Sequence, residues 1–394
     1  MFHDPLVGES KTHVPSQGRL SSVVRHAAWL GHLDACASFD ALHTSDPSLP
    51  PHREVTRFIS SSQHGSGAYL QITPDDGIAG SRVHSRTFIS SVQYRAGLFI
   101  SALKPALDAL AAAGTPATTA DRLGDTYINA KKSGKARRHN AVLACWATAI
   151  RAASTTSVIQ GDKGNGKHHG STSAAAKQRY AHFNAGHVPD LIWLSASPSG
   201  SHLLFEVKVF TPFLTSSAQG RGSKSHGGAP STSEGHHLAF GNTEEALLRT
   251  ILGTRQRGQP TDPPLDHSTG YGYVAAHSGH YADGIAKGND VVPLISETLG
   301  GINRTAVNTL HRLHALTSPT AARDGTQYGI SRSATTSFHA HHLRLISLAT
   351  HRQNMAILLT AADRLNLDAT AHIPLPTLQD FIPVNSAPNA SAAP

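Results

Sequence analysis

Apolar residues recur at helical spacing in the first part of this chain and at strand spacing in its middle. From Ser21 to Phe39, residues Val24, Ala27, Ala28, Trp29, Leu33 and Cys36 recur at roughly helical spacing. Glycines and prolines between 61 and 83 break the pattern into turns around a short apolar stretch, Ala68 to Ile72. Two helical segments are predicted between Thr87 and Ala113. Phe88, Val92, Leu98, Phe99 and Leu103 supply an apolar face, and Gly114 and Pro116 stop the second segment. The stretch Asn140 to Ala153 is apolar around much of its circumference, through Val142, Leu143, Trp146 and Ile150, which predicts a buried helix.

The period then changes. Val188 to Leu194 and His202 to Phe210 read as short strands, and the Ser195–Ser201 segment between them has the proline and glycine of a hairpin turn. Further along, Glu244 to Leu252 reads as helix, Tyr271 to Ala276 as strand, and Asp290 to Glu297 as a strand closed by Gly300-Gly301. Asn303 to Leu316 is an amphipathic helix with Val307, Leu310 and Leu313 on one side, and Ser337 to Leu365 forms one long helix or two. Residues 161–177 and 215–235, rich in Gly, Ser and His, read as surface loops. Strands and helices in this order predict an α/β fold: a mixed sheet of about four strands flanked by helices, with helical additions at both ends. The expected division is 1–115, a mainly helical region; 116–325, the core; 326–381, a helical segment; and 382–394, a disordered tail.

Composition narrows the function. The chain has 394 residues, and 34 Lys+Arg against 26 Asp+Glu give a formal net charge of +8. That balance suits a polyanion partner or a margin of solubility. Two cysteines, Cys36 and Cys145, exclude a disulfide framework and a four-thiolate zinc site. No apolar run approaches the length of about 20 residues that a membrane span needs. Met1-Phe2-His3-Asp4-Pro5 has neither a basic nor an apolar region of signal type, so an unsecreted protein inside the cell, the nucleus included, is expected.

The candidate chemistry lies at the strand pair. Residues two apart in a strand share a face, so Glu206 and Lys208 project together while Phe205, Val207 and Val209 face the other way. An antiparallel hairpin would carry Asp190, at the start of the preceding strand, close to Glu206. Two converging carboxylates suit a hard cation such as Mg²⁺ or Mn²⁺, and a lysine beside it can orient water or stabilise charge on phosphorus. Upstream, Lys131, Lys132, Lys135, Arg137, Arg138 and His139 form a cationic run that leads into the Asn140 helix. Such a run suits phosphate contacts or a solvated basic turn.

These pieces, in this order, resemble the PD-(D/E)xK nuclease superfamily. More narrowly, they resemble the restriction-enzyme-like endonuclease domain found in reverse-transcriptase proteins of retroelements. The matching residues are Arg138-His139-Asn140, Val188-Pro189-Asp190-Leu191-Ile192, Glu206-Val207-Lys208-Val209, Tyr281, Val291 to Gly301, and Leu310 with Leu313, over roughly residues 120–317. The resemblance implies a restriction-endonuclease-like core and a metal-dependent endonuclease acting on DNA. It implies Asp190 and Glu206 as metal ligands, Lys208 as the catalytic lysine, and Arg138 and His139 near the DNA backbone. The chain departs from the pattern in having no cysteine between Thr115 and Ala130, where such domains carry a zinc knuckle. It also has no acidic residue in the Asn140 helix, and where many members have a Glu shortly before the strand pair the nearest residues here are Gln160 and Asp162. A decayed, non-catalytic DNA-binding remnant of the same fold is therefore the alternative.

Two rival signals remain. Gly161-Asp162-Lys163-Gly164-Asn165-Gly166-Lys167 fits a phosphate-binding G-x-x-x-x-G-K loop, but His168 stands where a Ser or Thr hydroxyl belongs. The 27 histidines include His339, His341 and His342, and His311 with His314 one helical turn apart. No H-E-x-x-H or zinc-finger spacing occurs, and composition bias is the reading taken.

Overall fold

The computed structural model describes residues 17–42, 53–71, 83–129, 134–154, 157–161, 174–185, 187–194, 196, 201–211, 247–248, 250–252, 279–317 and 338–371. The helical elements begin with α1 (Gln17–Leu42), α2 (Arg53–Ser61), a 3-10 turn (Ala68–Gln71), α3 (Ser85–Ala96), α4 (Lys104–Ala112), α5 (Thr119–Leu123) and α6 (Asp125–Asn129). The core follows with α7 (Lys135–Ala153), β1 (Val158–Gln160), α8 (Ala174–Tyr180), β2 (Leu191–Trp193) and β3 (Leu203–Phe210). It continues with α9 (Ala282–Ala286), β4 (Asp290–Glu297), α10 (Arg304–Leu316) and α11 (Phe338–Ala371). The Tyr271 to Ala276 strand, most of the Glu244 helix, the two Gly/Ser/His-rich segments and the 382–394 tail lie wholly or largely outside the described residues.

The four strands form one mixed sheet in the order β1-β2-β3-β4. β1 and β2 are antiparallel, as are β2 and β3, whereas β3 and β4 run parallel from Leu203↔Asp290 to Phe210↔Glu297. A parallel partner needs a crossover, and the long connection after β3 supplies its length. This is the α/β architecture of a mixed four-strand sheet between helices.

Side-chain alternation along β3 builds two cores. Leu203, Phe205 and Val207 join Leu191, Trp193, Val292 and Leu294 on one face, under α7 (Val142, Trp146, Ile150) and α10 (Leu310, Leu313). Leu204 joins Ile192, Val291 and Ile295 on the other, with Phe183, Val188 and Tyr281. Trp146 has no exposed surface, and a Trp→Ala change at such a site costs about 3–5 kcal/mol. Asn303 caps α10 by accepting from Ala306 N at 3.0 Å, and the same oxygen accepts from Ile295 N at 3.3 Å, which covers the outer edge of β4.

Two local expectations change, and the open choice of one long C-terminal helix or two is settled. α3 buries Ser90, Ser91 and Tyr94, while Phe88, Val92, Leu98 and Phe99 are exposed; of the predicted apolar face only Leu103 enters the core. β1 is an edge strand that the apolar pattern did not mark, because three residues carry too little alternation to register. α11 is one helix of 34 residues. Its first half covers the sheet through Phe338, Leu343 and Ile346, and its second packs Met355 and Leu358 against Ile100, Leu103 and Leu107. Among the described residues no helix is long and apolar enough to cross a membrane.

Candidate active site

Asp190 stands one residue before the last β2–β3 partners, Leu191↔Phe205, and its N–H donates to Phe205 O at 3.0 Å. β2 starts at Leu191, opposite Phe205, while β3 runs on past it, so Val207 has no β2 partner. The Asp190 side chain takes that place: Val207 N donates to Oδ2 at 2.8 Å. The carbonyl of Val207 points the same way and accepts from His139 Nε2 at 3.1 Å, and that nitrogen also lies 3.4 Å from Asp190 Oδ2. Two side chains thus satisfy the strand edge that β2 leaves.

Glu206 lies on the second-core face of β3, which Lys208 shares. Tyr281 donates its hydroxyl to Oε2 at 2.5 Å, Lys208 pairs with Oε1, and His187 Nε2 lies 3.4 Å from Oε1. Burial, then Glu206 and Asp190, push the Tyr281 phenol well above its ordinary pKa, so it holds its proton and acts as a donor. The β2–β3 register, extended one residue beyond Leu191↔Phe205, sets Asp190 across from Glu206.

Exposure grades across the site. Asp190 and Glu206 are 1 % and 0 % exposed, whereas the side chains of Lys208, His139 and His187 are 31 %, 25 % and 22 % exposed. Two buried acids therefore lie behind a rim of basic groups. Among the described residues no three His, Cys, Asp or Glu side chains are arranged to hold a metal ion; the candidate oxygen ligands are the carboxylates of Asp190 and Glu206. That all-oxygen pair fits a hard divalent cation, which takes one or two protein carboxylates and completes its shell with water and phosphate.

The cationic run divides. Lys135 and Arg137 are exposed on the first turn of α7, and Lys135 lies one turn before His139 on the same face. Arg138 is only 2 % exposed and donates to Asn354 Oδ1 of α11 at 2.8 Å; burial brings its guanidinium down to about 10. An inward-pointing side chain cannot meet a phosphate, so the expected backbone contact at Arg138 is replaced by a helix–helix tie. Lys131 and Lys132 lie outside the described residues.

The G-x-x-x-x-G-K segment keeps only Gly161 within the described residues. A Cβ there would fall 1.8 Å from Pro189 O, so close packing of β1 on the Asp190 turn already demands glycine. Sequence reasoning did not single out His187 or Asn184. Both sit in turns, where no period exists to mark them; only their nearness to Asp190 in the chain was a signal. Comparisons with protein-family models, with curated proteins and with solved structures find no match for this chain.

Proposed function

We propose that this protein is a metal-dependent endonuclease that hydrolyses DNA phosphodiester bonds, built on a restriction-endonuclease-like core of retroelement origin. The observation that carries the reading is the cross-strand placement of buried Asp190 opposite buried Glu206, with Lys208 paired to Glu206 on the solvent side. Asp190 and Glu206 would hold Mg²⁺ or Mn²⁺. When bound, such an ion stabilises the negative charge that builds on the phosphate oxygens in the transition state.

The chain's own groups do the rest. Lys208 orients the attacking water or stabilises charge at phosphorus, from a position open to substrate. Tyr281 fixes the Glu206 carboxylate through Oε2, and Val207 N and His139 fix Asp190. Lys135 and Arg137 favour a polyanion at the start of α7. That turn carries no acidic residue, and its N-cap Gly134 gives no side-chain acceptor, so its N–H groups and positive dipole end suit phosphate.

A second reading has its own support. Lys208, Tyr281 and His187 already surround Glu206, and a carboxylate compensated in this way is tolerated without a metal. That arrangement suits a non-catalytic DNA-binding remnant. Both readings predict DNA binding that weakens with salt, and only the enzyme yields product. With Mg²⁺ or Mn²⁺ the purified chain is expected to nick supercoiled DNA, and Asp190→Asn and Lys208→Ala are each expected to abolish nicking. Salt-sensitive binding without product would favour the remnant.

A further inference from the structure

Two turns deliver side chains to Glu206 without belonging to the sheet. The turn after α8 carries His187, and the turn entering α9 carries His280 and Tyr281. They are nearly 100 residues apart in sequence, and one side chain joins them. Asn184 is 1 % exposed. Its Nδ2 donates to His187 O at 2.6 Å and to His280 O at 3.1 Å, and its Oδ1 accepts from Gly284 N at 2.9 Å. All the hydrogen bonds of this amide go to the two turns and none to the sheet.

The surroundings tighten the same joint. A Cβ on Gly284 would meet Leu204 Cδ1 at 2.9 Å and Asn184 Cβ and Phe183 O at 3.3 Å, so α9 packs tightly between β3 and the Asn184 turn. Asp283 Oδ2 accepts from Ala185 N at 2.6 Å, and Lys287 Nζ donates to Ala181 O at 2.5 Å. Asn289 Nδ2 donates to Phe183 O at 3.0 Å. The rings that follow are set in register: His187 stacks on His280 with centroids 5.1 Å apart and lies edge-on to Tyr281 at 5.7 Å.

We infer that Asn184 is a positioning residue for the candidate nuclease site: it clamps the two turns so that Tyr281 and His187 both address the Glu206 carboxylate. This rests on the nuclease reading above. Asn184 touches no reacting group itself. Its two donated bonds do the clamping, and its accepted bond only seats α9. Misplacing a carboxylate by about 1 Å is enough to cost up to about 100-fold in rate.

The test compares the full-length wild type with Asn184→Ala and Asn184→Asp in a Mg²⁺-dependent plasmid-nicking assay, with DNA affinity and thermal melting measured alongside. Asn184→Asp keeps the acceptor for Gly284 N and loses both donors. The expected result is a fall in kcat of roughly 10- to 100-fold in both variants, with KM for DNA unchanged. The double variant Asp283→Ala/Lys287→Ala, which loosens the same joint from the exposed side, is expected to lose a few-fold in kcat and serves where the Asn184 variants fail to fold. Nicking by folded Asn184 variants at the wild-type kcat, or by the double variant where only it folds, overturns the clamp and leaves the nuclease reading standing. A wild type that gives no metal-dependent product overturns that reading and takes this inference with it.

Discussion

Among the described residues, two of the clusters that bury charge are built differently. In the N-terminal helices, Arg53 pairs with Glu54 and Asp125, and Arg57 pairs with Glu54 Oε2 at 2.6 Å and donates to Arg95 O at 2.7 Å. All four charged residues are buried, and the cations are spent on anions within the cluster. At the sheet, the anions Asp190 and Glu206 are buried while the basic groups beside them, Lys208, His139 and His187, reach solvent. A closed cluster holds helices together. An open one keeps its basic edge available to an outside anion, and that asymmetry is what separates a packing device from a candidate site.

The sharpest break between the two is chemical. Lys208→Ala should lower nicking per folded molecule by about 10²- to 10⁴-fold, the range of a lost acid–base or charge-stabilising group. Arg53→Met should do the reverse. It strands Glu54 and Asp125 and is expected to cost about 3–5 kcal/mol in urea unfolding, with DNA affinity per folded molecule unchanged. Loss of activity from Arg53→Met without loss of stability would erase the distinction.

A third buried polar group refines it. His351 has no access to solvent: its Nε2 donates to Leu299 O at 3.2 Å, its Nδ1 faces Ser91 Oγ at 3.2 Å, and its ring stacks on Tyr69 at 3.9 Å. Burial, then the Arg95 cation, pulls its pKa down to about 3, and burial pulls His339 to about 4. Unfolded imidazoles take a proton near pH 6.5, so between there and the folded value the unfolded state binds more protons. Stability is therefore complete above about pH 6.5 and is lost as the pH falls toward 3, by on the order of 4 kcal/mol for His351. His351→Gln should flatten this slope, measured as urea midpoints at neutral and acid pH; an unchanged slope would assign it to other groups.

The smallest effect divides the cationic run. Lys135→Ala and Arg137→Ala should weaken DNA binding evenly across sequences and each lower the salt slope by about 1. Arg138→Ala, which unties α7 from Asn354, should lower stability and leave the slope alone.

Much of this was legible from the chain. Alternation through Phe205, Val207 and Val209 assigned Glu206 and Lys208 to one face, and the ion pair between them bears out that parity. The hairpin signal carried Asp190 to Glu206, and the helices at Asn140 and Asn303 followed from apolar spacing. What escaped was burial achieved by hydrogen bonds rather than by apolar contact. α2 buries Arg53, Glu54 and Arg57 beside Val55 and Ile59, so charge breaks up the apolar stripe that would announce it. α3 reads inside out because Ser91 is held by Tyr69 and His351, while its apolar residues face outward. His187, Asn184 and the Asp190–His139 contact depend on turns that bring distant segments together, which no local period encodes.

The central claim is that Asp190 and Glu206 share one divalent ion. Calorimetric titration of Mn²⁺ into the full chain with bound DNA tests it most directly. The account predicts one site per chain, abolished by Asp190→Asn and by Glu206→Gln alike; binding that survives both substitutions, or its absence from the wild type, would contradict it.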